Sequence, residues 1–254
     1  MSNDLKRLVE AIAFSANAHR RQFRKDQPPT PYINHPIALL RILAVEAEVE
    51  ELDVLISALL HDYLEDCCGE NQVWLEEGKA ALREKFGEHV LEIVCEVTDE
   101  KTLEKGLRKR LQIEHAKSLS REAKLVKLAD KIANVRDLRL FPPHDWNGSR
   151  CREYLEWATK VVDELRGTHA GLEQLYSNEV ELIGPNRWRM PRRAENIDPN
   201  HPIFVNHEYR RKLSDQFVAQ AHANFARARL EMEAEEAEKL IAASAKPNSD
   251  QSGP

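Results

Sequence analysis

Residues 52–66 read LDVLISALLHDYLED, an almost wholly apolar stretch that runs directly into a cluster of ionisable side chains. These side chains are His61, Asp62, Glu65 and Asp66. Read as one helix, the stretch places them at positions i, i+1, i+4 and i+5, so that they form one contiguous stripe. The apolar residues before the stripe predict a buried helix. Charges beside a core are costly unless they are compensated, and a divalent cation compensates them well.

Two roles are predicted within this stripe. His61 and Asp62 are neighbours on the helix surface and can converge on one ion. Glu65 and Asp66 lie one turn further along and can reach a bound water instead of the ion. The stripe therefore predicts a metal centre with an acidic pair beside it.

Further ligands must come from other segments. His35 lies in YINHP, at a loop-to-helix junction where a side chain can be aimed inward, and Asp130 lies in the apolar stretch LVKLADK. Taken singly, His35 is an ordinary helix-start residue and Asp130 an ordinary ion-pair partner of a neighbouring lysine. Two histidines and two aspartates together form a mixed nitrogen and oxygen set, which suits Mn²⁺ and also Fe²⁺ or Zn²⁺.

Helical periodicity dominates the chain as far as residue 183, and no segment alternates as a half-buried strand does. A Pro-containing loop is predicted over 20–34, and Gly87 is expected to separate one helix from the next. The predicted helices cover 5–16, 36–43, 52–66, 73–86, 88–97, 107–119, 122–138, 150–166 and 169–182. The sequence therefore predicts an all-α fold, with residues 1–183 as its main domain.

The composition changes after this domain. Residues 184–206 are Pro-rich and locally basic and are predicted to form a linker or arm. Residues 207–244 favour a highly charged helix that faces solvent, a partner or a second copy of the chain. Residues 245–254 are predicted to be disordered. The expected architecture is thus a helical domain with a C-terminal helical extension.

Bulk properties limit the partners and the compartment. The 254 residues carry a formal net charge of −6, so no global positive field attracts nucleic acid or an acidic membrane. No segment approaches the roughly 20 apolar residues of a membrane span, and no signal sequence is recognised. The four cysteines form no C-x-x-C pair, which favours a reducing cytoplasm. An anionic small molecule would have to be bound by a local basic patch.

A series of longer motifs occurs in a fixed order. They are AHRRQFRKD at 18–26, TPYINHP at 30–36, ALLHDYLED at 58–66, FG at 86–87, EVTDEKT at 96–102, AKLVKLADK at 123–131 and NVRDL at 134–138. This series resembles the HD hydrolase domain of RelA/SpoT proteins. It is most similar to the small alarmone hydrolases of the metazoan SpoT homologue type. The resemblance implies the HD-domain helical fold and hydrolysis of the 3′-pyrophosphate of (p)ppGpp.

The same resemblance implies a role for individual residues. Mn²⁺ would be held by His35, His61, Asp62 and Asp130. Glu65 and Asp66 would orient and deprotonate the attacking water. The nucleotide would be contacted near its base by Arg24 and Lys25, and at its phosphates and ribose by Lys105, Asn134, Arg150 and Tyr154.

The chain departs from the family pattern at Tyr63 and Leu64, where Thr-Val is common, and Tyr63 is expected to reshape the pocket wall. Several alternatives stay open. The base can be adenine instead of guanine, and other HD proteins are nucleotidases, deoxynucleotide triphosphohydrolases or cyclic-nucleotide phosphodiesterases. Small animal-type relatives also act as NADPH phosphatases. A catalytically weak nucleotide sensor that acts through residues 207–244 is the non-enzymatic alternative.

Overall fold

The computed structural model describes residues 3–26, 29–69, 71–184 and 187–188. Within these ranges the chain is helical and forms no β-strand, which confirms the predicted all-α fold. The α-helices are α1 Asn3–Ala18, α2 Asn34–Arg41, α3 Leu52–Leu60, α4 Gln72–Phe86, α5 Glu88–Val97, α6 Lys105–Ala116, α7 Arg121–Leu140, α8 Gly148–Leu165 and α9 Ala170–Ile183. Two π-helical segments, Ile42–Glu46 and Tyr63–Cys68, follow α2 and α3.

Side-chain caps and one glycine explain where several helices begin. The side chains of Asn71, Ser120 and Asn147 accept backbone N–H donors at the start of α4, α7 and α8, at 2.9, 3.1 and 2.9 Å. Such caps satisfy donors that the first helical turn leaves unpaired. Gly87 separates α4 from α5 with φ at +97°, a conformation that glycine adopts without steric cost.

Helix α3 is the centre of the core. Every residue from Val54 to Leu60 is buried, and the helix packs against α1, α2, α5 and α7. Helix α7 buries the face that includes Leu125, Leu128 and Ile132 and also contacts α8 and α9. Because both helices lie inside, a polar residue at the end of α3 or along α7 is brought to the interior.

The prediction of one continuous helix over Leu52–Asp66 is wrong. Helix α3 ends at Leu60, and Asp62 has φ −97° and ψ 0°, near the bridge region at the border of helical geometry. The backbone resumes as the π-helical segment Tyr63–Cys68, in which the Asp66 N–H donates to the Asp62 carbonyl at 2.8 Å. Residues with such dihedrals and π-helical turns are both frequent at functional sites. Because of this break, the side chains of Glu65 and Asp66 do not have the directions that a continuous α-helix would give them.

A cluster of ion pairs fixes α7 to α9 and to the first π-helical segment. The Arg136 guanidinium donates to both carboxylate oxygens of Glu46, at 3.0 and 2.9 Å. Its Nε donates to Glu179 at 2.8 Å, and Arg139 donates to the other oxygen of Glu179 at 2.8 Å. Bidentate contacts of this kind set orientation as well as distance. They hold α7, which carries Asp130, in place.

The predicted Pro-containing loop folds back on itself. An isolated bridge pairs Phe23 with Pro31, and the Arg24 N–H donates to the Thr30 carbonyl at 2.8 Å. These contacts bring the side chain of Arg24 to α7, where it donates to Asp137 at 2.7 Å and to Asn134 at 3.2 Å. The loop is thereby fixed against α7.

Most of the predicted C-terminal extension lies outside the described residues. That holds for the helix 207–244, the tail 245–254 and all of the linker 184–206 except residues 184, 187 and 188. Trp188 packs against the core cluster, and Arg187 donates to the Arg139 carbonyl. Among the residues that the structure describes, no helix is both long and apolar enough to cross a membrane.

Candidate metal centre and active site

His61 lies at the point where α3 ends. Its ring is 6% exposed, and Nδ1 donates to the Ala58 carbonyl one turn earlier, at 2.9 Å. This bond orients the ring so that its buried Nε2 lies 2.8 Å from Asp62 Oδ2. Burial opposes protonation of the ring, but the carboxylates of Asp62 and Asp130 outweigh it and raise the pKa of His61 to about 9, so that a cation bound at this point would take the place of the Nε2 proton. A histidine whose other ring nitrogen donates to a backbone carbonyl is the ordinary arrangement of a metal ligand.

His35 faces the same point from the first turn of α2. Its Nε2 lies 3.3 Å from Asp130 Oδ1 and 3.8 Å from Asp62 Oδ2, and the residue is 3% exposed. Burial lowers the pKa of the His35 imidazole, which favours the neutral form that binds cations.

Asp130 and Asp62 supply carboxylate oxygens to this point. Ligand atoms of His35, His61 and Asp130 all lie within 4.8 Å of one another. Asp62 is not one of these three, but its Oδ2 lies 2.8 Å from His61 Nε2 and 3.8 Å from His35 Nε2. Burial opposes ionisation of both aspartates, but His61 beside Asp62 and Lys131 beside Asp130 hold their pKa values well below the usual range. The donors form a compact nitrogen and oxygen set that fits a divalent cation.

Contacts beyond these four side chains orient them. Asp130 accepts from Lys131 Nζ at 2.8 Å and from the Asn134 amide at 2.5 Å. The Tyr32 hydroxyl donates to Asp62 Oδ2 at 2.5 Å, and burial raises the pKa of Tyr32, so that it stays a donor. Sequence reasoning missed the role of Tyr32, although it lies in the motif TPYINHP, because its partner is 30 residues away.

Glu65 and Asp66 lie on the π-helical segment and line the same cavity as the four candidate ligands His35, His61, Asp62 and Asp130, which are called the metal cluster below. Lys101 Nζ contacts Glu65 Oε1 at 3.2 Å and Asp66 Oδ1 at 2.8 Å. The Asp99 N–H donates to the second oxygen of Glu65 at 3.3 Å. Burial, reinforced by Asp99, raises the pKa of Glu65. Lys101 is a second residue that sequence reasoning missed, although it lies in the motif EVTDEKT.

Two adjoining cavities define the site. The metal cluster and the acidic pair share a polar cavity of about 220 Å³, and a larger, mostly apolar cavity of about 470 Å³ lies beside it. The residues common to both walls are Arg24, Tyr32, His35, Asn134 and Tyr154. A largely apolar cleft with a few convergent polar groups is the usual form of a small-molecule site.

The predicted substrate contacts divide between these cavities and their surroundings. Arg24, Asn134 and Tyr154 line both cavities, and Lys25 lines the larger one. Lys105 and Arg150 line neither. Lys105 is exposed in the first turn of α6, and the guanidinium carbon of Arg150 lies 4.7 Å from the ring centroid of Trp146, a wall residue.

The expectation that Tyr63 reshapes the pocket wall is not met. Tyr63 lines neither of these two cavities. Its ring is partly buried and packs edge-on against Phe14, with 4.9 Å between ring centroids, beside the core cluster around α3.

Comparison with known proteins places the chain in a family. The HD domain family matches residues 11–150. Guanosine-3′,5′-bis(diphosphate) 3′-pyrophosphohydrolase MESH1 of Xenopus tropicalis is 49% identical over 173 residues, which cover 68% of this chain and 92% of the relative. The Homo sapiens protein of the same name is 48% identical over 174 residues, with coverage of 68% and 93%.

A solved structure agrees with these matches. It is described as a metazoan ortholog of SpoT that hydrolyses ppGpp and plays a role in starvation responses. Its sequence is 44% identical, the alignment covers 70% of this chain and 96% of that structure, and the TM-score is 0.65. The chain therefore belongs to the HD domain family and, within it, to the group of metazoan SpoT homologues.

Proposed function

We propose that this chain is a metal-dependent 3′-pyrophosphohydrolase that converts ppGpp to GDP, and pppGpp to GTP, with release of pyrophosphate. The observation that carries the proposal is the convergence of His35, His61, Asp62 and Asp130 beside the Glu65–Asp66 pair. Support also comes from relatives whose names state this activity and of whose length the chain covers 92% and 93%.

His35, His61, Asp62 and Asp130 would hold one divalent cation, for which we propose Mn²⁺ because the donor set mixes imidazole and carboxylate. When bound, such an ion supplies Lewis acidity, which makes water more acidic and neutralises phosphate charge. Lys131 and Asn134 keep Asp130 oriented toward this point, and Tyr32 does the same for Asp62.

The acidic pair performs the proton transfer. Glu65 takes a proton from water, whose oxygen attacks the phosphorus bonded to the ribose 3′ oxygen. The bond between that phosphorus and the 3′ oxygen breaks, pyrophosphate leaves, and the proton that Glu65 took passes to the 3′ oxygen. The raised pKa of Glu65 makes it a stronger base than an ordinary carboxylate, which suits general-base catalysis.

The larger cavity would hold the nucleoside. Phe23, Leu138 and Phe141 provide apolar surface for a purine ring, while Arg24 and Asn134 lie where this cavity meets the metal cluster. Lys25 lies on the base side of the site, and Tyr154 lies between the two cavities. We propose that this junction positions the ribose, so that its 3′ group points to the cluster.

The domain boundaries, the self-association and the cellular location of the chain are also proposals. We propose that residues 1–183 form the catalytic domain and that 184–206 link it to a charged helix, 207–244, through which copies of the chain associate. We also propose a cytoplasmic location, since all four cysteines are free. We propose neither nucleic acid nor membrane as a partner.

A substrate panel tests the proposed activity. The purified chain, with and without Mn²⁺, is incubated with ppGpp, pppGpp, ppApp and NADPH, and the products are separated by chromatography. We expect Mn²⁺-dependent release of GDP and pyrophosphate from ppGpp. The matched control is His61→Ala, which should lose bound metal and turnover together.

Other outcomes of this panel would select another function. Intact ppGpp together with phosphate release from NADPH would replace alarmone hydrolysis by a phosphatase activity. Tight binding of ppGpp without turnover by the metal-loaded chain would favour the nucleotide sensor. Faster turnover of ppApp than of ppGpp would change the preferred base but keep the chemistry.

A further inference from the structure

His19 is a buried histidine that lies directly after α1 and outside the site itself. The residue is 2% exposed and lines neither of the two cavities of the site. Burying an imidazole is costly unless its polar atoms are used. Its Nε2 has no hydrogen-bond partner among the described residues, so Nδ1 makes the polar contacts of this ring.

The contacts of Gln22 fix the direction of the hydrogen bond that His19 makes. Gln22 Nε2 donates to the Asp66 carbonyl at 2.9 Å. A carbonyl oxygen only accepts, so the amide nitrogen of Gln22 faces Asp66 and its oxygen faces His19. His19 Nδ1 lies 2.6 Å from this oxygen and therefore donates to it. A chain of two hydrogen bonds thus runs from His19 through Gln22 to the backbone of the acidic pair.

The ring of His19 makes a second contact, with Tyr32. The two rings stack with 4.9 Å between centroids and 28° between planes. The Tyr32 hydroxyl donates to Asp62 Oδ2 at 2.5 Å, and the Tyr32 N–H donates to the Gln22 carbonyl at 3.0 Å. The imidazole therefore supports one face of the ring whose hydroxyl orients a candidate metal ligand.

These two contacts join parts of the site that the chain itself does not hold in one rigid element. Asp62 lies in the turn after α3, whereas Asp66 lies on the π-helical segment that follows. Water attack requires the base and the metal cluster to keep a fixed relative position, and a displacement of about 1 Å can cost about 10²-fold in rate. A buried residue that contacts both through one intermediate each is placed to set that position.

We propose that His19 is a positioning residue that fixes the acidic pair relative to the metal cluster through two separable contacts. This inference rests on the proposed function. The Nδ1 hydrogen bond acts through Gln22 on Asp66 and should affect mainly turnover. The stacked ring acts through Tyr32 on Asp62 and should affect mainly the affinity for the metal ion.

Two substitutions in the full chain separate the contacts. His19→Phe keeps a ring against Tyr32 and removes the donor. His19→Asn removes the ring and keeps a donor, because its amide nitrogen is as many bonds from the backbone as Nδ1. We expect His19→Phe to lower kcat for ppGpp about 10- to 100-fold, with Mn²⁺ affinity close to that of the wild type by calorimetric titration. We expect His19→Asn to weaken Mn²⁺ binding about tenfold, and its kcat at saturating Mn²⁺ should fall less than that of His19→Phe.

Hydrogen exchange measures the position of the acidic pair without requiring turnover. Exchange of the backbone amides of Tyr63–Cys68, followed by mass spectrometry, should be faster in His19→Phe than in the wild type and nearly unchanged in His19→Asn. Gln22→Met keeps the length of the side chain and removes its polar atoms, so it should reproduce the effects of His19→Phe. The double variant should lower kcat no further than either single variant, because both break the same chain of hydrogen bonds.

The matched control is His115, an exposed histidine near the end of α6. His115→Phe and His115→Asn should keep the kcat, the Mn²⁺ affinity and the exchange rates of the wild type. Thermal unfolding of each variant shows whether the fold is intact, and Gln22→Met tests the hydrogen-bond chain if His19→Phe does not fold.

Two results would overturn the assignment. If His19→Phe and His19→Asn lowered kcat and Mn²⁺ affinity in equal proportion, His19 would act only as a core residue. Additive losses of kcat in the double variant would show that His19 does not act through Gln22. If the wild type left ppGpp intact while Mn²⁺ affinity and hydrogen exchange separated as expected, the positioning role would stand and the proposed hydrolysis would fail.

Discussion

The hydrogen bond from His61 Nδ1 to the Ala58 carbonyl shows how one residue is prepared for its role. Because that bond fixes the orientation of the ring, Nε2 points to Asp62, His35 and Asp130. Tyr32 and Lys131 orient the two carboxylates in the same way. Such outer contacts commonly change metal affinity or activity about 10- to 100-fold when they are removed.

Glu65→Gln tests the proton-transfer role. The amide keeps the shape of the side chain but cannot accept the proton, so kcat for ppGpp should fall about 10²- to 10⁴-fold. The metal content, measured by mass spectrometry, should equal that of the wild type, because Glu65 is not proposed as a ligand. Asp66→Asn is the comparison variant. If Glu65→Gln had the wild-type kcat and Asp66→Asn were inactive, the role of general base would be assigned to Asp66.

Lys101→Met tests the positioning of the acidic pair. Lys101 contacts both carboxylates, so its loss should lower kcat about 10- to 100-fold through misplacement of the base. Lys101 also opposes the raised pKa of Glu65. Without Lys101 the pKa of Glu65 should rise further. Activity that needs ionised Glu65 increases with pH through this pKa, so the acid limb, the low-pH side of the plot of kcat against pH, should move to higher pH.

The controls for this change separate positioning from stability. Lys101→Arg should restore some of the activity, and Lys85→Met, an exposed lysine on α4, should behave as the wild type. A lower kcat with an unmoved acid limb would show that Lys101 does not act on the base that titrates in this profile.

At the scale of elements, the π-helical segment Tyr63–Cys68 carries the acidic pair, and α4 sets its position. Gly78 of α4 lies against this segment, where an added Cβ would overlap Cys68 Sγ and lie 3.2 Å from Leu64 Cδ2. The absence of a side chain at Gly78 therefore lets the two elements approach closely.

Gly78→Ala tests this packing. Overpacking a buried contact typically costs about 1–3 kcal/mol, more than the helix-propensity gain of about 0.5–1 kcal/mol. We expect a lower free energy of unfolding in urea, and a lower kcat because Glu65 and Asp66 shift with the segment. Cys68→Ala in the same chain removes the sulfur and should recover both. If Gly78→Ala alone had a higher free energy of unfolding than the wild type, the close-packing explanation would be wrong.

At the scale of the whole molecule, the site residues and both core clusters lie within the region of the chain that ends near residue 188. Helices α2 and α7 and the turn that follows α3 each carry proposed ligands, so the candidate metal centre depends on the packing of these elements and not on any single segment. Trp188 extends this packed region past the end of α9, since it contacts the core cluster and lies against Gly148.

Two truncations test where the catalytic domain ends. A chain that ends at residue 190 should keep the kcat and the thermal midpoint of the full chain. A chain that ends at residue 183 should lose about 1–2 kcal/mol of stability, because partial burial of a large apolar side chain is lost with Trp188. Sedimentation of the full chain and of the 190-residue chain tests self-association through 207–244. Equal stability of the two truncations would place the boundary at 183.

Local sequence patterns were sufficient to predict the all-α class, the bounds of most helices to within a few residues, and the side chains that we propose as metal ligands. These follow from local properties, since helical periodicity, caps and glycine act over one or two turns. Asp130 within the apolar stretch LVKLADK, and His61 and Asp62 directly after LDVLISALL, also stand out locally because burial makes such residues costly.

The end of α3 before His61, the packing of Tyr63 against Phe14 and the partners of Tyr32 and Lys101 became visible only in three dimensions. Each of these depends on contacts between segments that are far apart in the chain. Tyr32 meets Asp62 30 residues away, and Lys101 meets Asp66 35 residues away. Periodicity cannot encode such pairs, because they form only when the folded chain brings the loops before α2 and α6 to the residues that follow α3.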